Sequence, residues 1–294
     1  MLDRAGFSPG TIDGRKGSNT AKALDLYQKA GNAAAPASDA VTIYRVTAED
    51  AAGPFIERMP TDMMDSAKLP ALGYTSVLEM LAERFHSSPV LLQQLNPGAT
   101  FAADQDIQVP NVEPMTLPAP APPKDQAAKD PAPKDPAAKD QPSRGATAAP
   151  REAAPQKPDV VVTVAKQLSA VTVTDASGQV VFYAPVTTGS EHDPLPIGEW
   201  KVKGVQMNPT FHYNPDLFWD ADPTHTKATI PAGPNNPVGV VWIDISKEHY
   251  GLHGTPEPAT IGRTQSHGCV RLTNWDALRL AALVKPGTKV VFTE

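Results

Sequence analysis

The 294-residue sequence lacks the features that mark several large classes of proteins. It has a single cysteine, Cys269, so no disulfide can form within the chain. No apolar run reaches the roughly 18 residues that a membrane helix needs, so no membrane span is expected. The formal net charge is -6 and no basic stripe occurs, so nucleic acid is not expected as a partner.

The start of the chain also lacks the basic, apolar and small-residue pattern of a secretory signal. It opens directly on Met1-Leu2-Asp3-Arg4. Two interpretations follow: a cytosolic protein, or an exported protein whose signal or anchor is missing from this sequence. The chemistry described below favours the second, and so predicts a periplasmic or cell-envelope location.

Proline, by contrast, is abundant, and much of it lies in one tract. Residues 113–157 contain 11 Pro and 12 Ala, with Lys-Asp pairs recurring from Lys124 to Lys139. No aromatic or β-branched apolar residue occurs between Leu117 and Val160. Such a segment cannot bury enough apolar surface to offset its conformational entropy, so residues 113–157 are predicted to be a disordered linker. A passive spacer is the favoured interpretation, and binding by the Lys-Asp repeat is the alternative.

Residues 1–35 predict one short helix, capped by Asn19 or Thr20 and ending at Gly31-Asn32. The unit resembles the later part of a peptidoglycan-binding-like helical module. The resembling residues are those from Asp3 to Gly14, Lys22-Ala23-Leu24 and Tyr27-Gln28. The first helix of that module is missing, and one helix cannot form a core alone. The unit is therefore predicted to be truncated and poorly ordered.

Residues 41–112 predict two short helices flanked by strands. Thr75 is expected to cap the first helix, and Ser88-Pro89 supplies the cap and first residue of the second. The pattern resembles a LysM domain, a binder of N-acetylglucosamine-containing glycans. The resembling residues are Ile43-Tyr44-Arg45-Val46, Leu81-Ala82-Glu83-Arg84-Phe85, Leu95-Asn96-Pro97 and Ile107-Gln108-Val109-Pro110. Residues 47–73 interrupt it where a short turn is expected, so a small αβ spacer without a ligand remains the alternative.

Residues 158–294 are predicted to be mainly β. Strands are expected at 160–164, 171–174, 180–182, 198–205, 238–245 and 289–292. One amphipathic helix, capped by Asn274, is expected to continue to Leu283. Many short strands with one late helix predict a curled or sandwich-like sheet.

This last unit also contains the residues with the clearest chemistry, His253-Gly254-Thr255 and Ser266-His267-Gly268-Cys269-Val270-Arg271. A thiol is a nucleophile as the thiolate, and a nearby imidazole can take its proton and return it to a leaving amine. Gly268 leaves room for a substrate carbonyl, and backbone N–H groups around it could hold an oxyanion. Arg271 could pair with a substrate carboxylate.

Three other interpretations of these residues remain open. His and Cys together could bind zinc, although three candidate ligands without paired spacing match poorly. Cys269 could be a buried structural residue. Arg271 could form an ordinary structural ion pair.

The two segments resemble the YkuD-type L,D-transpeptidase catalytic domain, and the resemblance covers residues 158–294. The residues that carry it are Gly251-Leu252-His253-Gly254-Thr255, the run from Ser266 to Leu272, Pro196-Ile197-Gly198-Glu199-Trp200, the run from Gly233 to Gly239, and Trp242-Ile243. Position 271 is Arg where some relatives have Asn, which leaves substrate selectivity open.

The resemblance implies a YkuD-type β-sandwich with Cys269 as nucleophile and His253 as general base. The backbone carbonyl of Gly254 would orient that imidazole. His267 would line the oxyanion site, and the residues that would position substrate are Ser266, Gly268 and Arg271. No cofactor and no metal is implied.

The implied reaction is acyl transfer on peptidoglycan. Cys269 would attack the third residue of a tetrapeptide stem, typically meso-diaminopimelate, and expel D-alanine. The acceptor stays open: a second diaminopimelate for a 3→3 crosslink, a lysine of an envelope lipoprotein, or water. Glycan strands are the expected second partner, and carbapenem acylation of Cys269 is expected. The alternatives are an L,D-carboxypeptidase or endopeptidase, and a non-catalytic wall-binding protein.

Overall fold

The computed structural model describes residues 1–32, 39–119 and 157–294. Most of the predicted linker, residues 120–156, therefore lies outside the described residues. At its beginning, Met115 is buried and its N–H donates to the carbonyl of Arg84 at 2.8 Å. Packing of the second unit thus continues past residue 112. Among the described residues, no helix is long and apolar enough to cross a membrane.

The first unit consists of a loop followed by helix α1, Ser18–Lys29. The predicted caps Asn19 and Thr20 are wrong, because the helix already begins after Gly17, which is extended and has no side chain to cap it. Phe7 and Tyr27 pack edge-to-face with ring centroids 5.4 Å apart. Both are buried in one cluster with Ala23 of α1 and with Ala170 and Tyr183 of the third unit. The unit obtains its core from the third unit, so the expected poor order is not observed in residues 1–32.

The second unit pairs strand β1, Val41–Arg45, with strand β2, Asp106–Pro110, in antiparallel register. The other elements of this unit are the helices α2, Ala48–Ala52; α3, Met63–Ser66; α4, Val77–Arg84; and α5, Pro89–Leu95. Ile107 and Val109 of β2 are buried in one cluster with Leu81 of α4, Phe85 at the end of α4 and Leu92 of α5. Helices α2 and α3 belong to the insertion, residues 47–73.

Two helix caps were predicted in this unit, and the structure confirms one of them. Ser88 caps α5 and Pro89 opens it, which confirms that prediction. The cap of α4 is Ser76, whose hydroxyl accepts from the N–H of Glu79. Thr75 is not the cap, because both its N–H and its hydroxyl donate to the Glu79 carboxylate instead.

The third unit is built on one eight-stranded sheet. Its strands are β3, Val160–Ala165; β4, Ala170–Asp175; β5, Val180–Pro185; β6, Gly198–Met207; β9, Val241–Ile245; β10, Gly251–His253; β11, Val270–Arg271; and β12, Lys289–Thr293. They lie in the order β11-β10-β9-β6-β12-β3-β4-β5. A separate hairpin pairs β7, Phe211–Tyr213, with β8, Ala228–Ile230.

One core joins both ends of this sheet and helix α6, Asn274–Leu283. It includes Val171 of β4 near one edge and Val270 of β11 at the other. The sheet therefore curls around its core, as predicted for a mainly β unit. The cap of α6 is Thr273, whose hydroxyl accepts from the N–H of Asp276, rather than the predicted Asn274. Asn274 lies inside the first turn, where its side chain has other partners.

A buried polar cluster joins the three units. Asp3 contacts His86 at 3.0 Å and Arg279 at 2.8 Å, and the Ser8 hydroxyl donates to Asp276 at 2.8 Å. Burial alone would raise the pKa of Asp3, but the hydrogen bonds and charges of His86 and Arg279 outweigh it and hold the pKa at about 2. Burial, helped by the charge of Asp3, raises the pKa of Asp276 to about 7.

Candidate active site

The sequence-predicted residues meet on two short parallel strands, β10 and β11. His253 is the register partner of Arg271, and Leu252 is the partner of Val270. Leu252 and Val270 are buried in the core. Because side chains alternate along a strand, His253 and Arg271 face the opposite side, and Cys269, two residues before Arg271, shares their face.

That face forms the floor of a cavity of about 730 Å³. Its lining includes Cys269, His253, His267, Ser266 and Arg271. Side chains from two more distant parts of the chain complete the walls. One is the connection between β7 and β8, and the other is the insertion at 47–73.

His253 is held in one tautomer. Its Nδ1 lies 2.7 Å from the carbonyl oxygen of Gly254, which can only accept, so Nδ1 carries the hydrogen and Nε2 has a free lone pair. The ring stacks on Trp242 with centroids 5.4 Å apart. Burial, together with the positive charge of Arg271, lowers the pKa of His253 to about 3. The imidazole is therefore neutral at neutral pH.

The backbone beside His253 is locked to helix α6. A Cβ atom on Gly254 would lie 2.1 Å from Oδ1 of Asn274, and one on Gly239 would lie 2.0 Å from the same atom. Oδ1 also accepts from the N–H of Val240 at 3.1 Å. Only glycine allows this approach, so both positions are fixed by packing against the Asn274 amide.

The thiol of Cys269 is half-buried and neutral. It donates weakly to the carbonyl of His249, with 3.7 Å between sulfur and oxygen. Burial raises the pKa of Cys269 to about 11, although the backbone N–H of Gly251 and the charge of Arg271 oppose the rise. A neutral thiol and a neutral imidazole thus share the cavity in the resting protein.

The turn before Cys269 depends on two residues. Gly268 has φ +98°, and a Cβ atom there would lie 2.6 Å from the ring of Tyr250. The hydroxyl of Ser266 donates to the carbonyl of Cys269 at 2.5 Å. That hydroxyl is therefore used to fix the turn, while the residue also lines the cavity.

Arg271 is half-buried at the cavity wall, and burial lowers its pKa. In the part of the chain that the structure describes, its guanidinium forms no hydrogen bond and no ion pair. Its backbone is nevertheless fixed, because its N–H and carbonyl exchange hydrogen bonds with Thr187 at 2.9 and 3.0 Å. The structural ion pair considered for Arg271 is thus absent from residues 1–32, 39–119 and 157–294.

His267 has partners that the sequence did not indicate. Its Nε2 lies 2.8 Å from Oδ1 of Asp220, and its ring packs edge-to-face on Phe218 with centroids 5.0 Å apart. Trp219, which is 60% exposed, lies 6.0 Å from the same ring. The three residues are consecutive in the β7–β8 connection. In the sequence, Phe218-Trp219-Asp220 stands out only as an aromatic pair beside an acidic residue. That pattern does not indicate a contact with His267.

The zinc alternative can be compared with the same geometry. Across the described residues, no group of three or more His, Cys, Asp or Glu side chains is placed to hold a metal ion. The nearest candidates, His253, His267 and Cys269, have the separate partners given above.

Comparison with known proteins finds similarity in the third unit. Residues 158–292 match the YkuD family, the L,D-transpeptidase catalytic domain. A Bacillus licheniformis protein named as an L,D-transpeptidase, YkuD, is 48% identical over 60 residues, which cover 20% of this chain and 36% of that protein. An Escherichia coli protein named as an L,D-transpeptidase, YbiS, is 34% identical over 119 residues, covering 39% and 38%. The chain thus spans little more than a third of the length of these curated relatives.

Solved structures give a weaker likeness. An L,D-transpeptidase from Mycobacterium smegmatis aligns with a TM-score of 0.38 at 18% identity, covering 47% of this chain and 59% of that one. L,D-transpeptidase 3 from Mycobacterium tuberculosis, solved with a faropenem-derived adduct, aligns with a TM-score of 0.38 at 19% identity, covering 47% and 61%. The similarity therefore lies in residues 158–292, which match the L,D-transpeptidase catalytic domain of the YkuD family.

Proposed function

We propose that the protein is an L,D-transpeptidase that acts on the tetrapeptide stems of peptidoglycan through a Cys269 acyl-enzyme. The observation that carries the proposal is the shared face of β10 and β11, where His253 and Arg271 are register partners and Cys269 lies two residues before Arg271. The match of residues 158–292 to the catalytic domain supports it.

Acylation begins from a neutral pair. Nε2 of His253 takes the thiol proton while the sulfur of Cys269 attacks the carbonyl carbon of the third stem residue. Backbone N–H groups at Gly268 and Cys269, with His267, stabilise the oxyanion of the tetrahedral intermediate. The C–N bond then breaks, the imidazolium returns its proton to the leaving amine of D-alanine, and a thioester remains on Cys269. Because both groups are neutral before substrate binds, charge develops only as the reaction proceeds.

Arg271 is proposed to hold a carboxylate of the stem. Its guanidinium has no hydrogen-bond or ion-pair partner among the described residues, so it can offer its planar donors to an incoming carboxylate in bidentate geometry. The hydroxyl of Ser266 acts one step away, by fixing the turn that presents Cys269.

Deacylation transfers the acyl group to an amine, which loses a proton to His253 as the thiolate leaves. With a second diaminopimelate as acceptor the product is a 3→3 crosslink, and with a protein lysine it is a wall-anchored protein. Such substrates lie outside the cytoplasmic membrane, so we also propose a periplasmic or cell-envelope location. Acylation of Cys269 by a carbapenem is part of the same proposal.

The N-terminal units complete the proposal at lower detail. With the insertion at 47–73 and its helices α2 and α3 set aside, residues 41–112 have the order β1-α4-α5-β2. This strand–helix–helix–strand order supports a LysM-like unit that contacts glycan strands, and the sequence of residues 1–35 supports a shortened peptidoglycan-binding-like segment. The two halves of the curled sheet would correspond to the layers of a β-sandwich. The domain limits proposed are 1–35, 41–112, 113–157 and 158–294.

The experiment is incubation with purified disaccharide tetrapeptide, followed by mass spectrometry of the products. A crosslinked dimer with release of D-alanine is expected. Tripeptide monomer alone would instead indicate a carboxypeptidase, and unchanged substrate would indicate a wall-binding protein. Cys269→Ser is the control, since an alcohol beside a neutral imidazole is a much weaker nucleophile than the thiol.

A further inference from the structure

The insertion at 47–73 packs on the third unit rather than standing away from it. Its Leu72 is buried in one cluster with Tyr213 of β7 and Ile230 of β8. Further apolar side chains from both partners are packed around this cluster: Met59, Met63, Ala67, Leu69, Phe211, Phe218 and Ala228. The hairpin β7–β8 thus shares a small apolar core with the insertion.

Backbone hydrogen bonds fix this contact in register. The N–H of Leu72 donates to the carbonyl of Ala232 at 2.9 Å, and the N–H of Asn235 donates to the carbonyl of Leu72 at 3.0 Å. The Asn235 side chain donates to the carbonyl of Gly73 at 2.9 Å and to Glu79 at 2.8 Å. A Cβ atom on Gly233 would lie 2.2 Å from the Leu72 carbonyl oxygen. The end of the insertion is therefore tied to the segment that follows β8.

A chain of hydrogen bonds connects the middle of the insertion to the β7–β8 hairpin. Oδ2 of Asp62 lies 3.0 Å from Nε2 of His225, and Nδ1 of His225 lies 3.0 Å from the hydroxyl of Tyr213. The remaining carboxylate oxygen of Asp62 accepts from the N–H groups of Met64 and Asp65 and caps helix α3. One side chain thus holds both α3 and the β7–β8 hairpin.

Both partners of this contact reach the cavity of Cys269. His225 and Tyr213 line it, as does Met63, the residue after Asp62. The β7–β8 connection also contacts His267 through Asp220 and Phe218. The insertion therefore reaches the cavity directly through Met63. It also reaches it indirectly, through the hydrogen bond from Asp62 to His225 of the β7–β8 connection.

We propose that residues 47–73 are part of the substrate-binding apparatus: Asp62 positions the β7–β8 wall over Cys269, and Met63 contacts the aliphatic part of a bound peptide stem. The interruption of the LysM-like pattern is thereby given a role at the catalytic cavity. This inference rests on the proposed function for its substrate, but its positional part does not.

Asp62→Ser is the test variant, because serine keeps the helix cap but is too short to reach His225. Asp65→Ser is the matched control: Asp65 lies on the same helix, is exposed, and pairs only with Lys68 at 2.7 Å. With disaccharide tetrapeptide as donor, we expect Asp62→Ser to raise KM about fivefold with kcat within about twofold, as for loss of one hydrogen bond that acts on binding. Met63→Ala should behave likewise, with Met64→Ala as its control.

A second readout does not depend on turnover. The rate of Cys269 labelling is measured with a bulky fluorescein maleimide and with small iodoacetamide. A loosened wall should raise the ratio of bulky to small labelling about threefold in Asp62→Ser and not in Asp65→Ser, because local opening admits the larger reagent.

The outcomes separate the two proposals. Unchanged KM and an unchanged labelling ratio in Asp62→Ser would overturn the inference, and so would a changed ratio with unchanged KM, because the substrate would then not use this wall. A raised ratio in a protein whose native form leaves tetrapeptide untouched would overturn the proposed function while the positional role of Asp62 stands. Thermal unfolding of each variant checks that α3 remains folded.

Discussion

Nδ2 of Asn274 on α6 donates to Oε1 of Glu83 on α4 at 2.8 Å, and both side chains are buried. The opposite atom of the same amide, Oδ1, packs on Gly254, whose carbonyl accepts from His253. The second unit is therefore linked through two residues to the backbone that orients the His253 imidazole. Ionisation of the Glu83 carboxyl group can therefore affect the site around His253.

The first prediction concerns that carboxyl group. Burial raises the pKa of Glu83 to about 7, although hydrogen bonds from Tyr74 and Asn274 oppose the rise. A raised pKa favours the protonated group in the folded state, so its contribution to stability is full below the unfolded pKa of 4.5 and is lost as pH rises through about 7. Glu83→Gln cannot ionise. We expect its melting temperature to gain a few degrees on that of the native protein between pH 5 and pH 8, measured by calorimetry.

Glu49→Gln is the matched control, since Glu49 lies on helix α2 of the same unit and its side chain is exposed. Parallel melting curves for Glu83→Gln and the native protein across this pH range would contradict the prediction. They would mean that the pKa of Glu83 does not differ between the folded and the unfolded protein.

The second prediction concerns the resting state of the nucleophile. Because burial raises the pKa of Cys269 to about 11 and lowers that of His253 to about 3, the pair is neutral without substrate. Alkylation of Cys269 by iodoacetamide should keep accelerating above pH 9, about tenfold for each pH unit, as the thiolate fraction grows. A plateau reached below pH 8 would instead show a preformed thiolate–imidazolium pair. The neutral pair and the ion pair are distinguished by stopping the labelling reaction at set times between pH 6 and pH 10 and measuring the labelled fraction by mass spectrometry.

Much of this site follows from local sequence, and some of it does not. The tripeptide at His253 and the run at Cys269 each form one end of a short strand, so their spacing already predicted that they meet. The walls formed by the β7–β8 connection and by the insertion were not predictable, because Asp220 and Met63 reach the cavity only through the pairing of β7 with β8 and the packing of Leu72. The same limit applies to Asn19, Thr75 and Asn274. Each has a side chain suited to a helix cap, yet tertiary partners or a neighbouring residue decide where the helix begins.

The third prediction separates the two histidines. His253→Ala should slow acylation of Cys269 by substrate strongly, but slow alkylation at high pH should persist because the thiol ionises unaided. His267→Ala should lower kcat by roughly 10²–10³, the loss typical of one oxyanion donor. If His267→Ala changed the pH dependence of alkylation and His253→Ala did not, the assignment of the general base would have to be reversed.

The fourth prediction concerns Arg271. Removing its guanidinium from the cavity should weaken substrate binding more than chemistry, so Arg271→Ala should raise KM about tenfold or more with a smaller fall in kcat. Arg271→Lys should recover part of the loss, since an ammonium keeps the charge but not the bidentate geometry. A tetrapeptide amidated at its stem carboxylates is the matched substrate, and native protein should bind it as weakly as Arg271→Ala binds the free acid. Equal KM values for both substrates in the native protein would exclude the carboxylate contact.

The last prediction concerns the dependence of the catalytic domain on the units before it. From the sequence alone, residues 158–294 are expected to remain folded and active after the chain is cut in the linker. The structure modifies that expectation, because Phe7 is 2% exposed and packs with Tyr27 against Tyr183 of β5, and Glu83 holds Asn274. A specific protease site inserted between residues 120 and 156 should therefore yield two fragments that co-elute in size-exclusion chromatography.

Phe7→Ala should cost about 3–5 kcal/mol of that contact, the usual loss for a buried aromatic side chain, and release a measurable share of free fragment. Met207→Ala, at a side chain 42% exposed on β6 of the same sheet, is the control and should leave elution unchanged. Separate elution of the native fragments, with full activity in residues 157–294 alone, would show that the contact is dispensable and that the catalytic domain folds without it.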